Sequence, residues 1–285
     1  MAGAASDEGL KTALPRARDE LALRIASAAI LAPLTLIAAW AGGPVFAGLV
    51  AFLCVLMAFE WARMTEGAET STVFYILGAA SAAALTLAAA GFYPFAYLAA
   101  AAGAAGAFLS AKRHRGWAAF GSAFFIAPAI ALLWLREEHE AGAGFALLLF
   151  AIVWAADTGG YAGGRFVGGP KLSPAISPAK TWAGAAGGLV FGAAAAFLGA
   201  PLLLGWPADG FALAVGGGLG LASIIGDMAE SAIKRRFGVK DMSGFIPGHG
   251  GVLDRLDGMI FATSTMTAAL YAHSLIARAP ALGQG

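Results

Sequence analysis

The sequence predicts an all-α polytopic membrane protein with its N-terminus in the cytoplasm. Three observations predict it. Of 285 residues, 59% are hydrophobic and 12% are charged, against about 25% charged in a soluble domain, and the mean hydropathy is +0.76. Apolar runs recur at the length needed to cross a bilayer, and basic residues gather on alternate connections between them.

Residues 1–21 mix Lys11, Arg16 and Arg18 with Asp7, Glu8, Asp19 and Glu20 and lack an apolar period, which marks a polar tail. The run Leu23–Trp40 follows basic residues as a signal peptide would. It exceeds the usual apolar region of roughly 7–15 residues, so it reads as an uncleaved first span. At about 20 apolar residues per span, about nine helices follow: 23–41, 44–61, 72–90, 92–111, 117–135, 142–160, 183–205, 208–226 and 258–277. With that count, all but Arg136 and Arg278 of the 18 lysines and arginines fall on one side. Cytoplasmic loops accumulate these residues, which places the N-terminus and the loops 158–182 and 227–257 inside and the acid-rich 137–140 connection outside. About five helices then make an N-terminal region, 22–140, and about four a C-terminal region, 141–285. Gly184, Gly188 and Gly192, then Gly216 and Gly220, recur at four-residue spacing, the pattern that lets membrane helices approach closely. A net charge of +1 argues against a nucleic-acid partner. The single Cys54 excludes an intrachain disulfide and a cysteine-based metal site.

Between the last two apolar runs, Gly226–Gly258 sets Asp227, Glu230, Asp241, Asp254 and Asp257 against Lys234, Arg235, Arg236, Lys240 and Arg255. A polybasic lipid patch would carry one sign; this balance suits carboxylates that hold cations beside bases that hold phosphates. If Asp227 begins a helical turn, Glu230, Ser231 and Lys234 share its face, and Asp254 and Asp257 are i, i+3 neighbours. Carboxylates so spaced can reach one or two divalent ions, which favour hard oxygen ligands and phosphate as a co-ligand. The glycines around Pro247 and His249 suit a loop whose backbone approaches a phosphate closely.

A second segment runs from Asp157 through Gly159, Gly160, Gly163, Gly164 and Arg165 to Lys171-Leu172-Ser173-Pro174 and Ser177-Pro178-Ala179-Lys180-Thr181. A carboxylate at the depth of Asp157 requires a polar cavity or a partner. The glycines and hydroxyls suit a nucleotide pocket, with Lys180 as a point charge for phosphate. Glu60, at the end of the second span, lies on the same side as Asp157 and Asp227.

The order Ser231, Ile233-Lys234-Arg235, Lys240-Asp241, Pro247, His249-Gly250-Gly251-Val252, Asp254-Arg255-Leu256-Asp257 resembles the signature of the phosphatidate cytidylyltransferases, the CDP-diacylglycerol synthases. The segment from Asp157 to Thr181 is similar to that family's second motif, although Ala183 stands where some members carry an acid or amide. Arg24-Ile25 and Glu60-Trp61 extend the resemblance over most of the chain. It implies Mg²⁺-dependent transfer from CTP to phosphatidate in the bacterial cytoplasmic membrane, with a second cation as a candidate cofactor. It assigns Asp227, Asp241, Asp254 and Asp257 to metal. Lys234, Arg235, Lys240 and Arg255 would hold phosphates, with His249 as an acid or structural hydrogen-bonder. Asp157, Ser177 and Lys180 would form the nucleotide side, with Gly250 and Gly251 offering N–H groups. CTP, phosphatidate and the bilayer are the implied partners, and a homodimer is left open. A CDP-alcohol phosphotransferase would continue with an arginine shortly after Gly258, where Met259-Ile260-Phe261-Ala262 stand. Another lipid acceptor for the same chemistry, or a transporter or scaffold, is the remaining alternative; a transporter would place its charges mid-span.

Overall fold

The computed structural model describes residues 26–282 apart from 69, 241, 244 and 246–249, and for 275–282 the backbone alone. Each expected span coincides with a helix: α1 Ala26–Ala41, α2 Gly43–Glu66, α3 Thr72–Ala89, α4 Tyr93–Ser110, α5 Arg115–Glu137, α6 Gly142–Val167, α7 Trp182–Leu204, α8 Gly210–Arg236 and α9 Leu253–Leu282. Helices α2 to α8 are each long and apolar enough to cross a membrane.

Helix ends follow local chemistry. Ser71, Thr181 and Asp209 cap α3, α7 and α8 by accepting the N–H groups of Phe74 (3.3 Å), Gly184 (3.0 Å) and Phe211 (2.9 Å). Gly67 and Gly205 end α2 and α7 in the left-handed conformation, at φ 73° and 66°.

Small residues decide the packing of the C-terminal half. A Cβ at Gly187 would meet the carbonyl oxygen of Gly159, and one at Gly192 the carbonyl oxygen of Gly216, so α7 lies backbone to backbone against both α6 and α8. The outer face of α7 leaves Val190, Leu198 and Leu202 exposed, as a lipid-facing surface requires. In the N-terminal half large side chains do this work: buried Trp61 stacks on Phe124 at 5.2 Å and donates from Nε1 to the Trp117 carbonyl at 2.8 Å. At the opposite end of the bundle, Arg136 donates to the carbonyls of Ala39 and Trp40 and Glu137 accepts from the Gly43 N–H, tying the α1–α2 turn to α5.

Several details depart from the expected spans. Helix α6 continues past residue 160 through a π-helical turn, Gly163–Val167, because Gly163 packs on Ala183 and Gly184 of α7 and the contact carries the helix onward. The connection after it is an antiparallel hairpin, β1 Lys171–Ser173 with β2 Ser177–Thr181, which pairs Lys171 with Thr181. Helix α8 runs unbroken to Arg236, so Asp227, Glu230 and Lys234 project from one continuous helix.

Candidate active site

The C-terminal ends of α2, α6 and α8, the N-terminus of α9 and the end of β2 meet at one end of the bundle, and each brings charge. Lys180 of β2 makes an ion pair with Asp227 of α8. Asp157 of α6 and Asp257 of α9 lie within electrostatic reach of Asp227, of each other and of Lys180. Asp257 also accepts the Gly258 N–H at 2.7 Å. Helices α8 and α9 come this close because Gly226 packs against the Asp257 carbonyl and Gly258 against Ser223.

One turn earlier on α9, Asp254 faces a different set of partners. Its Oδ1 accepts from Lys234 Nζ at 2.8 Å, and Lys234 also pairs with buried Glu230 at 2.7 Å. Its Oδ2 accepts the N–H groups of Gly251 (3.0 Å) and Met242 (3.2 Å). Beside it, fully buried Glu60 of α2 accepts from the Ser243 hydroxyl and from the N–H groups of Val252 and Leu253. A buried carboxylate needs such donors. Here the donors are the start of α9 and the strand of chain before it, so Glu60 and Asp254 together fix that segment to α2 and α8.

A cavity of about 1660 Å³ opens over the site. Asp157, Arg165, Lys180, Asp227, Lys234, Asp254, Arg255 and Asp257 give it a charged part. The remainder is apolar and runs between α1, α2 and α5, where Leu31, Leu34, Leu49, Phe52 and Phe125 line it.

Seven of the residues given a binding or catalytic role from the sequence thus share one cavity: Asp157, Lys180, Asp227, Lys234, Asp254, Arg255 and Asp257. Among the described residues, Ser177, Arg235, Lys240, Gly250 and Gly251 do not line it. Arg235 instead donates from Nε to the Ile176 carbonyl at 3.3 Å, bracing the hairpin turn. Asp241 and His249 lie outside the described residues. Ser243 gave no signal in the sequence beyond being a hydroxyl near charge; Thr181 stood in the second motif, and Glu60 gave its position at a helix end and its place in the resemblance, without its partners.

A divalent cation is compatible with this donor set. Among the described residues no three acidic, His or Cys side chains are grouped closely enough to cage an ion. Mg²⁺ does not require a cage, since it commonly binds through one or two carboxylates and completes its shell with water and phosphate oxygens. Asp157, Asp227 and Asp257 offer that chemistry on one wall, and the Lys180 ammonium against Asp227 shows a cation accommodated there.

Known proteins carry similar sequences. A model of the cytidylyltransferase family matches residues 22–273. The phosphatidate cytidylyltransferase of Brucella suis is 36% identical over 261 residues, 86% of this chain and 92% of the relative. Those of Haemophilus influenzae and Mycobacterium tuberculosis are each 41% identical over shorter stretches, 145 residues (48% of this chain, 50% of the relative) and 128 residues (42% and 37%). On the extent of these matches, the chain belongs to the cytidylyltransferase family.

Proposed function

We propose that this protein transfers the cytidylyl group of CTP to phosphatidate, forming CDP-diacylglycerol and pyrophosphate at the cytoplasmic face of a bacterial inner membrane. The observation that carries the reading is the two-part cavity. One substrate is a triphosphate, the other a phosphate on two acyl chains, and a single cavity with a charged end and an apolar remainder suits both. The relatives above are named for this activity. Basic residues concentrated at the charged end support a cytoplasmic placement, where CTP is available.

In this reaction a non-bridging phosphate oxygen of phosphatidate bonds to the α-phosphorus of CTP. The bond from that phosphorus to the oxygen bridging the β-phosphate breaks, and pyrophosphate leaves with the electron pair. The nucleophile belongs to the substrate, so the protein's work is positioning and charge neutralisation. Lys180 and Arg255 line the cavity where a triphosphate would sit and supply positive charge for it. Asp227, Asp257 and Asp157 are the residues that would hold Mg²⁺, with Asp241 as a further candidate. When bound, the cation supplies neutralisation of the charge that develops on the departing pyrophosphate. Asp254, held by Lys234, Gly251 and Met242, keeps the first turn of α9 in place so that Arg255 and Asp257 face the cavity.

The test is direct. Purified protein with radiolabelled CTP, Mg²⁺ and phosphatidate should transfer label to the organic phase, and excess unlabelled CTP but not ATP should compete. No labelled lipid from phosphatidate would overturn the reading.

A further inference from the structure

A second cavity, of about 440 Å³, opens at the same end of the bundle, bounded by Val239 and Met242 on the side of the catalytic segment. Its walls carry Arg63, Arg113, His114 and Arg236, with Phe237 and Met242 among the apolar members. The three arginines come from three separate stretches of chain: the last turn of α2, the α4–α5 connection and the last residue of α8. Among the described residues, no carboxylate lies within ion-pair distance, 4.0 Å, of any of the three guanidinium groups. Glu66, the acid of this corner, accepts the backbone N–H groups of Lys112 (3.0 Å) and Arg113 (3.1 Å) and so fastens the connection to the end of α2.

Basic residues on a cytoplasmic surface are ordinary, because they orient the spans. Orientation requires only that they lie on the correct side. It does not require three of them to converge on one concavity, where like charges repel unless an anion joins them. The chain also adopts an uncommon conformation to build this wall: His114 has φ 37°, left-handed backbone that residues with a Cβ disfavour, and its ring packs edge-on against Phe237 at 5.0 Å. Guanidinium groups present planar pairs of donors that match phosphate oxygens.

We propose that this cavity is a phosphate-binding site separate from the catalytic one, taking the phosphate of an anionic lipid headgroup or a free phosphate anion. The site backs onto the catalytic segment. Met242 lines the arginine cavity while its N–H holds Asp254, and Ser243 beside it holds Glu60. An occupant therefore touches the strand of chain that positions the start of α9. The assignment does not depend on which reaction the catalytic cavity performs.

The experiment uses the full chain in phosphatidylcholine nanodiscs, with two arms. One adds phosphatidylglycerol and counts lipid retained on the protein by native mass spectrometry; the other adds labelled inorganic phosphate and measures bound equivalents by equilibrium dialysis. Arg113→Gln/Arg236→Gln should weaken retention in one arm by on the order of 10- to 100-fold, the loss of two or so charge-assisted hydrogen bonds. Its turnover, measured without phosphatidylglycerol or inorganic phosphate, should stay near that of the unmodified chain, since neither arginine lines the catalytic cavity. Val239→Phe keeps every charge, fills the cavity from its apolar wall and should weaken retention similarly, so a double variant that fails to insert does not end the test. Loss in the first arm assigns an anionic lipid, and loss in the second a soluble phosphate. Retention unchanged in both arms overturns the site.

Discussion

Glu60 of α2 accepts the backbone N–H groups of Val252 and Leu253, each at 2.8 Å, across 192 and 193 residues of sequence. A carboxylate from one helix thereby serves the free N–H groups at the start of another, where four donors lack intrahelical partners. Negative charge is also favoured there by the helix dipole. Replacing it with an amide directs N–H₂ toward N–H donors. Glu60→Gln should lower thermal stability by about 1–3 kcal/mol, the cost of leaving buried donors unpaired. Turnover should fall with it, because the segment carrying Arg255 and Asp257 loses its anchor. A differential scanning measurement beside the cytidylyl-transfer assay checks both; unchanged values in both would show that the contact is dispensable.

The two aspartates of the Asp254-Arg255-Leu256-Asp257 stretch should behave differently. Asp254→Asn removes the charge that pairs with Lys234, so stability and turnover should drop together. Asp257→Asn relieves repulsion from Asp157 and Asp227. It should leave the melting temperature unchanged or raised while cutting turnover by on the order of 10²–10³, as expected for loss of one preorganised electrostatic group. Added Mg²⁺ should rescue Asp257→Asn at most partly. Melting curves and initial rates on the two purified variants separate the roles, and equal losses of stability would contradict the division.

Gly187 bears on the fold without touching substrate. A methyl group there would meet the Gly159 carbonyl and push α6 from α7, the pair that carries Asp157 and, just before α7, Lys180. Gly187→Ala should destabilise by about 1–3 kcal/mol, the usual cost of overpacking. Gly218→Ala, where a Cβ would meet open space, should be tolerated. Chemical unfolding in detergent compares them.

Orientation can be read with a single thiol. In a Cys54→Ala background, His139→Cys should react with an impermeant thiol reagent applied to intact cells, and His114→Cys should not. Equal labelling would overturn the cytoplasmic placement of the charged end.

The helices were legible because each rests on a one-dimensional signal: an apolar run long enough to cross a bilayer, punctuated by charge. The carboxylates of the cavity were legible too, since few charges exist and each must have a use. The partners of those carboxylates were not. Spacing set Asp254 and Asp257 on one turn of α9, but Asp254 is engaged by N–H groups of Met242 and Gly251, and main-chain donors have no residue type to read. Glu60 was obscured for the same reason. The hairpin at 171–181 was read as loop because its strands are short, with Pro174 in the turn and Pro178 inside β2, and the contacts that hold it, their mutual pairing, the Arg235 bond to Ile176 and the Lys180 pair with Asp227, are all between separate stretches of chain. Residues 163–167 were read as connection since glycine pairs end isolated helices; here the same glycines admit the neighbouring backbone that sustains one.

The bond from Glu60 to the start of α9 also limits how far the catalytic segment is portable. A chain cut between α5 and α6 would keep Asp157, Lys180, Asp227, Asp254 and Asp257 in one piece, and would still lack the acceptor for the N–H groups of residues 252 and 253. Grafting the C-terminal helices alone onto another membrane scaffold would transplant the motif without its clamp, so any minimal version of this enzyme has to include α2.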